Sequence, residues 1–154
     1  MTANERVRRA ILFGRPDRVP VLFWNRDQRC GDILMRSLVL DADGANEWGY
    51  RMHALGDGTM GQPEAPVIPA WDALDAFRPP ALNPEHRMAG VADFVRDGEG
   101  YYLLAGLGIT GFNLYTFLRG FANAMLDFIA EPDRAMALMD RIMDFETGLT
   151  SLAA

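Results

Sequence analysis

The sequence predicts an α/β fold, in which helices alternate with the strands of a parallel sheet. Two continuous apolar runs, residues 18–24 (RVPVLFW) and 101–106 (YYLLAG), are typical of strands that are buried on both faces. Helical patterns precede, separate and follow these runs. A closed (β/α)8 barrel needs about 250 residues, so 154 residues could supply only three or four of its units. We therefore expect either a small open sheet or the N-terminal part of a larger barrel.

Local signals predict the individual elements. Thr2 and Glu5 form a capping-box pattern before apolar residues at helical spacing, which predicts a helix over residues 3–13 that ends at Gly14. The glycine- and proline-rich residues 56–70 are predicted to be a loop. The other predicted elements are a short helix at 31–38, an extended segment at 47–53, a helical turn or two at 71–77, and helices at 84–97, 112–129 and from Pro132 onward.

The last predicted helix carries an apolar stripe at steps of three and four residues, which must be buried against another part of the protein. The members of this stripe are Leu138, Ile142, Phe145, Leu149 and Leu152.

Composition and charge exclude several classes of protein. Fifteen basic and 21 acidic residues give a formal charge of -6, and no basic run is long enough to follow a nucleic-acid backbone. Cys30 is the only cysteine, so the chain alone can build neither an intrachain disulfide nor a cysteine-based metal site. No apolar run approaches the roughly 18 residues of a membrane span, and the N-terminus lacks the apolar segment of a signal peptide. We expect a soluble, cytoplasmic protein without a nucleic-acid or membrane partner.

Three glycines, Gly106, Gly108 and Gly111, have the spacing G-x-G-x-x-G directly after the second predicted strand. A dinucleotide-binding fold also needs an acidic residue about 20 positions further on, at the end of the next strand. Glu131 stands at that distance, but no strand is predicted before it. We therefore interpret these glycines as a sharp turn from strand to helix.

Three segments of the chain resemble corresponding segments of the uroporphyrinogen decarboxylase superfamily, which also contains cobalamin-dependent methyltransferases. They are NERVRRAILFGRPDRVPV (4–21), YYLLAGLGITGFNLYTFLRGF (101–121) and EPDRAMALMDRIMDF (131–145). Members of the superfamily are (β/α)8 barrels of roughly twice this length or more. The resemblance implies that residues 1–154 are the N-terminal part of such a domain, a partial TIM barrel of three to four β/α units.

The resemblance also assigns candidate residues. In the decarboxylases, a proline of the first strand is followed five and nine positions later by arginines that bind substrate carboxylates. Counted from Pro20, these positions are Asn25 and Arg29, and Arg26 is adjacent to the first. A functional tyrosine of the second signature corresponds to Thr116. Because asparagine cannot bind a carboxylate as a guanidinium does, these departures favour the methyltransferase branch.

Other candidate binding residues follow the predicted strands, where barrel enzymes place substrate contacts. The complete predicted set is Asn25, Arg26, Arg29, Glu47, Thr110, Gly111, Asn113 and Thr116. Each has a structural alternative: the two arginines flank an aspartate, as in an ordinary surface ion cluster, and Thr110 or Asn113 could simply cap the following helix. No catalytic residue is predicted.

Three functions remain open. The first is a methyltransferase of the superfamily, whose zinc and corrinoid the resemblance assigns to the full-length enzyme, so we expect this chain alone to hold no cofactor and to be inactive. The second is a porphyrinogen carboxy-lyase, which stabilises substrate carboxylates electrostatically. The third is a non-catalytic half-barrel binding module. The expected partner is a small-molecule substrate or a corrinoid, together with a second copy bound through an unpaired barrel edge.

Overall fold

The structure of the chain is a computed structural model that describes residues 1–24, 26–41, 44–56 and 61–154. The helices are Ala3–Ile11 (α1), Pro84–Met88 (α2), Val91–Asp97 (α3), Gly111–Arg119 (α4), Phe121–Ala130 (α5) and Pro132–Ala153 (α6). The strands are Ile33–Ser37 (β1), Met52–His53 (β2), Gln62–Pro63 (β3) and Tyr102–Gly106 (β4), and single 3-10 turns occupy Gln28–Cys30 and Trp71–Leu74.

The chain divides into two compact units. Unit 1 consists of Met1–Leu38 and Glu85–Gly106, and unit 2 consists of Val39–Pro84 and Leu107–Ala154. Unit 1 contains α1, the parallel pair β1–β4, and α3, whereas unit 2 contains the antiparallel pair β2–β3 and the three C-terminal helices. Among the described helices, none is both long and apolar enough to cross a membrane.

The predicted partial TIM barrel is wrong. Helices account for 47% and strands for only 10% of the structure. Within the described residues the strands form two separate two-stranded sheets. A barrel requires each strand to pair on both sides, and neither sheet supplies a third strand. The barrel edge that was expected to bind a second copy is therefore not a feature of the described residues.

The strand predicted at residues 18–24 is wrong, because this segment forms no strand. Asp32 binds this segment in place of a sheet: its carboxylate accepts a hydrogen bond from Val21 N at 3.0 Å, and its own N–H donates to Val21 O at 2.8 Å. Pro20 lacks the N–H that a central strand must donate. Val19 and Trp24 are exposed rather than buried.

Strand β1 instead forms from residues that were predicted to be a helix. It pairs in parallel with β4, with Ile33 opposite Tyr102 and Ser37 opposite Gly106. The predicted strand at 101–106 is confirmed as β4. The predicted strand at 101–106 therefore does belong to a parallel pair, but its predicted pairing with residues 18–24 is wrong.

A network of charged side chains ties the N-terminal segment of unit 1 together. Arg6 donates to Asp17 at 2.5 Å from Nε and also bonds Asp32, and Arg18 donates to Asp32 at 2.6 Å. Burial opposes ionisation of Asp32, but the hydrogen bonds from Arg18, Val21 N and Arg6 outweigh it and hold the pKa of Asp32 below its usual value. The Arg6 hydrogen bond lowers the pKa of Asp17 to about 2.

The apolar stripe of α6 is buried, as predicted. Leu138, Ile142, Phe145 and Leu149 belong to the core of unit 2, and Leu152 packs against it. This core also contains residues of α4 and α5, and the ring of Trp48 meets Phe145 edge-on with 5.0 Å between the ring centroids.

Glycines divide two of the predicted helices. The helix predicted at 112–129 is split into α4 and α5 by Gly120, whose φ is +78°. A Cβ at this position would lie 2.9 Å from Pro66 Cγ, so both the backbone angle and the space require glycine. Gly90, with φ of +71°, separates α2 from α3 in the same way.

The predictions for α1, for the turn at 71–77 and for the extended segment at 47–53 depend on short-range signals, and most of them are confirmed. Thr2 accepts a hydrogen bond from Glu5 N at 3.1 Å, which confirms the cap of α1, although the helix ends at Ile11. The helical turn predicted at 71–77 is present as Trp71–Leu74. Only β2 forms within the extended segment predicted at 47–53, and its partner β3 lies inside the predicted loop.

Candidate functional site

The structure distributes the predicted binding residues over the two units. Arg26 and Arg29 lie in unit 1. Unit 2 contains Glu47, Thr110, Gly111, Asn113 and Thr116. Asn25 lies outside the described residues. A site that combines residues of both units therefore stays a prediction.

Unit 1 contains a cleft of about 440 Å³ between the Gln28–Cys30 turn, β1 and α3, which we call the arginine cleft. Two arginines line it, Arg29 and Arg36. Three aspartates also line it, namely Asp27, Asp93 and Asp97. Its volume lies within the range of small-molecule sites. Arg26 is exposed and is not one of its lining residues.

Hydrogen bonds on both sides fix the backbone of Arg29. The Asp27 carboxylate accepts from Arg29 N at 2.9 Å and so starts the 3-10 turn, while Tyr101 Oη donates to Arg29 O at 3.0 Å. The guanidinium donates to the Asp97 carbonyl at 3.2 Å. Asp27 therefore caps the turn through the backbone of Arg29, which differs from the surface ion cluster that the sequence offered as the alternative.

Arg36 is the site residue that the sequence did not reveal. It projects from β1, its Nη2 donates to the Ala89 carbonyl, and its Nε is buried without a hydrogen-bond partner among the described residues. Gln28 holds the turn against the same strand, because its Oε1 accepts from Met35 N at 2.6 Å. In the sequence, Arg36 is the single charged residue of the segment ILMRS. Because this segment is predicted to be a helix, the sequence does not place Arg36 beside Arg29.

The charges around the arginine cleft nearly balance. Arg96 of α3 is not a lining residue, but it pairs with Asp93 at 2.7 Å and with the adjacent Asp97 at 3.3 Å. With Arg96 counted, three arginines offset the charges of the three aspartates. The cleft offers both donors and acceptors, together with the ring of Phe94, and has no strong net charge.

In unit 2, the glycine turn leads to a helix N-terminus that is already occupied. Gly108 and Gly111 have φ of +78° and +55°, as a tight turn requires. Gly111 N donates to Glu146 Oε1 of α6 at 2.6 Å. The carboxylate thus takes a donor that a nucleotide phosphate would need, which agrees with the interpretation of the glycines as a turn.

The other candidates of unit 2 make local contacts. Thr110 occupies the N-cap position of α4, as the structural alternative expects, but its side chain makes no capping hydrogen bond. Thr116 Oγ1 donates to the Asn113 carbonyl at 2.7 Å and lines a second cleft of about 480 Å³. Glu47 Oε1 accepts from Leu40 N at 3.3 Å. Of these five residues, only Thr116 lines the second cleft, and a cleft shared by all five stays a prediction.

The described residues do not fit a zinc site. None of their His, Cys, Asp and Glu side chains form a group of three that could hold a metal ion. Cys30, the only cysteine, is exposed and free.

Comparison with known proteins identifies no relative. No protein-family model matches the chain, and searches of curated proteins and of solved structures found no match. The resemblance to the uroporphyrinogen decarboxylase superfamily therefore rests on the three sequence segments alone.

Proposed function

We propose that this chain is a member of the uroporphyrinogen decarboxylase superfamily, in the branch of cobalamin-dependent methyltransferases, and that the arginine cleft contacts one edge of a corrinoid. The three resembling segments support the family. The fold does not support the family, because the described strands form two separate two-stranded sheets and not the expected barrel. The choice of branch depends on the charge of the cleft.

The near balance of acidic and basic side chains in the arginine cleft is the observation that favours the methyltransferase branch over the carboxy-lyase. A porphyrinogen bears several carboxylates, and Asp27, Asp93 and Asp97 would repel them. The peripheral side chains of a corrinoid are mostly amides, which are neutral and both donate and accept hydrogen bonds. A cleft with guanidinium donors beside carboxylate acceptors is complementary to amides and is not complementary to a polycarboxylate.

Two arginines would act as donors to amide oxygens. Arg36 lines the cleft, and the guanidinium N–H groups that do not bond the Ala89 carbonyl can donate to a ligand oxygen. Arg29 is exposed, and its guanidinium is anchored on the Asp97 carbonyl. When bound, a corrinoid supplies the methyl-carrying chemistry, and this chain binds and orients its edge.

Volume limits what the cleft holds. About 440 Å³ suits a small ligand or one edge of a macrocycle, so we expect free corrinoid to bind only weakly to this chain. We also propose a cytoplasmic location, because reducing compartments preserve a free exposed thiol such as Cys30.

Nuclear magnetic resonance of the arginine guanidinium groups tests the proposal at weak affinity. The chain is titrated with hydroxocobalamin and, separately, with uroporphyrin as a stable polycarboxylate. We expect saturable shifts of the Arg29 and Arg36 signals with hydroxocobalamin only. Arg36→Gln should abolish the response, and the matched charge change Arg9→Gln on α1 should leave it intact.

Either of two results would refute the methyltransferase branch. Uroporphyrin binding at Arg29 and Arg36 in preference to hydroxocobalamin would favour the porphyrinogen carboxy-lyase. Shifts with neither ligand would show that the arginine cleft is not a tetrapyrrole contact.

A further inference from the structure

Helix α5 of unit 2 presents an apolar face to solvent. Its single charged residue, Asp127, is buried and paired with Arg119. In contrast, Phe121, Leu126 and Ile129 are 70%, 64% and 85% exposed. We call the exposed apolar side chains of this region the α5 patch. Its members are Phe112, Phe121, Met125, Leu126, Phe128 and Ile129.

These side chains form one continuous surface. At 100° per residue, the members on α5 span an arc of about 160°, and ten residues give the helix a length of roughly 15 Å. Phe112 of α4 extends the surface, since its ring centroid lies 5.9 Å from that of Phe128. Ala122 lies within the arc, and its small side chain lets a second helix approach closely. Ala124 and Asp127 lie on the opposite, buried side.

We propose that the α5 patch is the interface of a symmetric homodimer, in which α5 of one copy packs against α5 of the other. A two-fold interface uses the same surface on both copies, so a self-complementary apolar stripe is the simplest such surface. This surface differs from the barrel edge that the sequence suggested, because it is a helix face and needs no unpaired strand.

The exposed area is sufficient for such an interface. The exposed fractions of the five members on α5 amount to about three complete side chains, or roughly 500 to 600 Å². Complete coverage of these side chains on both copies would bury at most roughly 1,000 to 1,200 Å², which reaches the lower limit for a specific protein interface. A patch of this size is at the upper end of the largest apolar patches on typical monomers, and such patches are often functional.

Charge favours a second copy over a membrane surface. Helices that lie on anionic membranes carry basic residues beside their apolar face, and α5 has none. The whole chain has a formal charge of -6, so it is repelled by anionic lipid. Two acidic copies can still associate through the α5 patch, because the patch itself is uncharged.

Sedimentation velocity between 1 and 200 µM tests the dimer, with reductant present so that the exposed Cys30 cannot cross-link two copies. We expect a monomer–dimer equilibrium with mostly dimer at 50 µM. Ile129→Glu places two carboxylates in the symmetric interface and should weaken association by at least about 100-fold. Val19→Glu is the matched control, because Val19 is 79% exposed but lies in unit 1.

A second variant tests whether α5 of one copy packs against α5 of the other. Met125 lies near the middle of α5, where a two-fold axis brings a residue close to its own copy, so Met125→Cys in a Cys30→Ser background should form an intermolecular disulfide on mild oxidation. A monomer at 200 µM, or a dimer that survives Ile129→Glu and does not cross-link, would overturn the proposal. Binding to phosphatidylglycerol vesicles that Ile129→Glu abolishes, without dimerisation, would assign the patch to lipid instead and also overturn it.

Discussion

Arg119 and Asp127 form a bidentate ion pair inside unit 2, with Nε 2.7 Å from Oδ2 and Nη2 2.9 Å from Oδ1. The pair joins the last turn of α4 to α5. Arg119 Nη1 also donates to Ile68 O at 2.6 Å, and its guanidinium lies 4.0 Å from the ring centroid of Trp71. Tyr115 Oη donates to Asp127 at 2.9 Å. Every charged group here is buried together with its partners.

Removing Asp127 should strongly destabilise the chain. Asp127→Ala leaves the Arg119 guanidinium buried without its counter-charge, which costs about 3 to 5 kcal/mol of the free energy of unfolding. Tyr115→Phe removes one hydrogen bond and should cost about 1 kcal/mol. Urea denaturation measures both changes. Asp140→Ala, an exposed change on α6, serves as the control and should cost little; equal effects at 127 and 140 would contradict this account.

The ion network of unit 1 should make stability depend on pH in the acid range. The pKa of Asp17 is lowered to about 2, chiefly by the Arg6 hydrogen bond. A carboxyl whose pKa is lower in the folded state stabilises the fold above its unfolded pKa, and this contribution is lost as pH falls through the folded value. The midpoint of urea unfolding should therefore decrease between about pH 5 and pH 2.

Asp17→Asn isolates this contribution. The variant should be less stable than the wild type at pH 7, and the difference should shrink as pH falls to about 2, where the wild-type carboxyl becomes protonated. Asp93→Asn removes a more exposed carboxyl and is the control. A difference between Asp17→Asn and wild type that stays constant from pH 7 to pH 2 would show that Arg6 does not stabilise the ionised form.

The parts of the fold that the sequence predicts correctly depend on local signals. The cap of α1 needs only Thr2 and Glu5, and the buried face of α6 follows from its own periodicity. Strand β1 depends on a partner far along the chain, because Ile33 pairs with Tyr102. Nothing within residues 31–38 shows that partner, so helix and strand could not be distinguished there.

The candidate site, like strand β1, depends on contacts between residues that are far apart in the sequence. The resemblance, counted from Pro20, and the position after an apolar run both predict Arg29 as a binding residue. Arg29 does line a cleft, although the run is not a strand. Arg36 and the aspartates of α3 reach the same cleft only through the pairing of β1 with β4 and the placement of α3. Their convergence is a property of the tertiary structure and leaves no pattern in the sequence.

An alanine substitution at Gly120 should destabilise the protein more than the same substitution at Gly100, which also has a positive φ but has open space around it. Gly120→Ala places a Cβ 2.9 Å from Pro66 Cγ in addition to the strain of a positive φ, so we expect a loss of about 2 to 4 kcal/mol. Gly100 has φ of +89°, but a Cβ added there would meet no described atom within 4 Å, so Gly100→Ala should cost about 1 to 2 kcal/mol. Thermal unfolding of both variants compares them. Similar losses would show that Pro66 moves aside without cost.

Glu146 should stabilise the start of α4. Its Oε1 accepts from Gly111 N at 2.6 Å, and a carboxylate at a helix N-terminus also interacts favourably with the helix dipole. Glu146→Ala should therefore cost about 1 kcal/mol and speed hydrogen exchange of the Gly111 amide. Asp144→Ala, an exposed change two residues earlier in α6, should leave that amide unaffected.

The same variant tests whether the glycine turn is a nucleotide site. In the wild type, Glu146 occupies the Gly111 N–H, and a dinucleotide phosphate would have to displace it. Glu131 lies between α5 and α6 and not at the end of a second strand, where a ribose would be held. We therefore expect NAD⁺ to leave the Gly111 amide signal unchanged in the wild type and in Glu146→Ala. A saturable shift of that signal in either protein would show that the glycines bind phosphate, and a shift confined to Glu146→Ala would identify the carboxylate as an internal competitor.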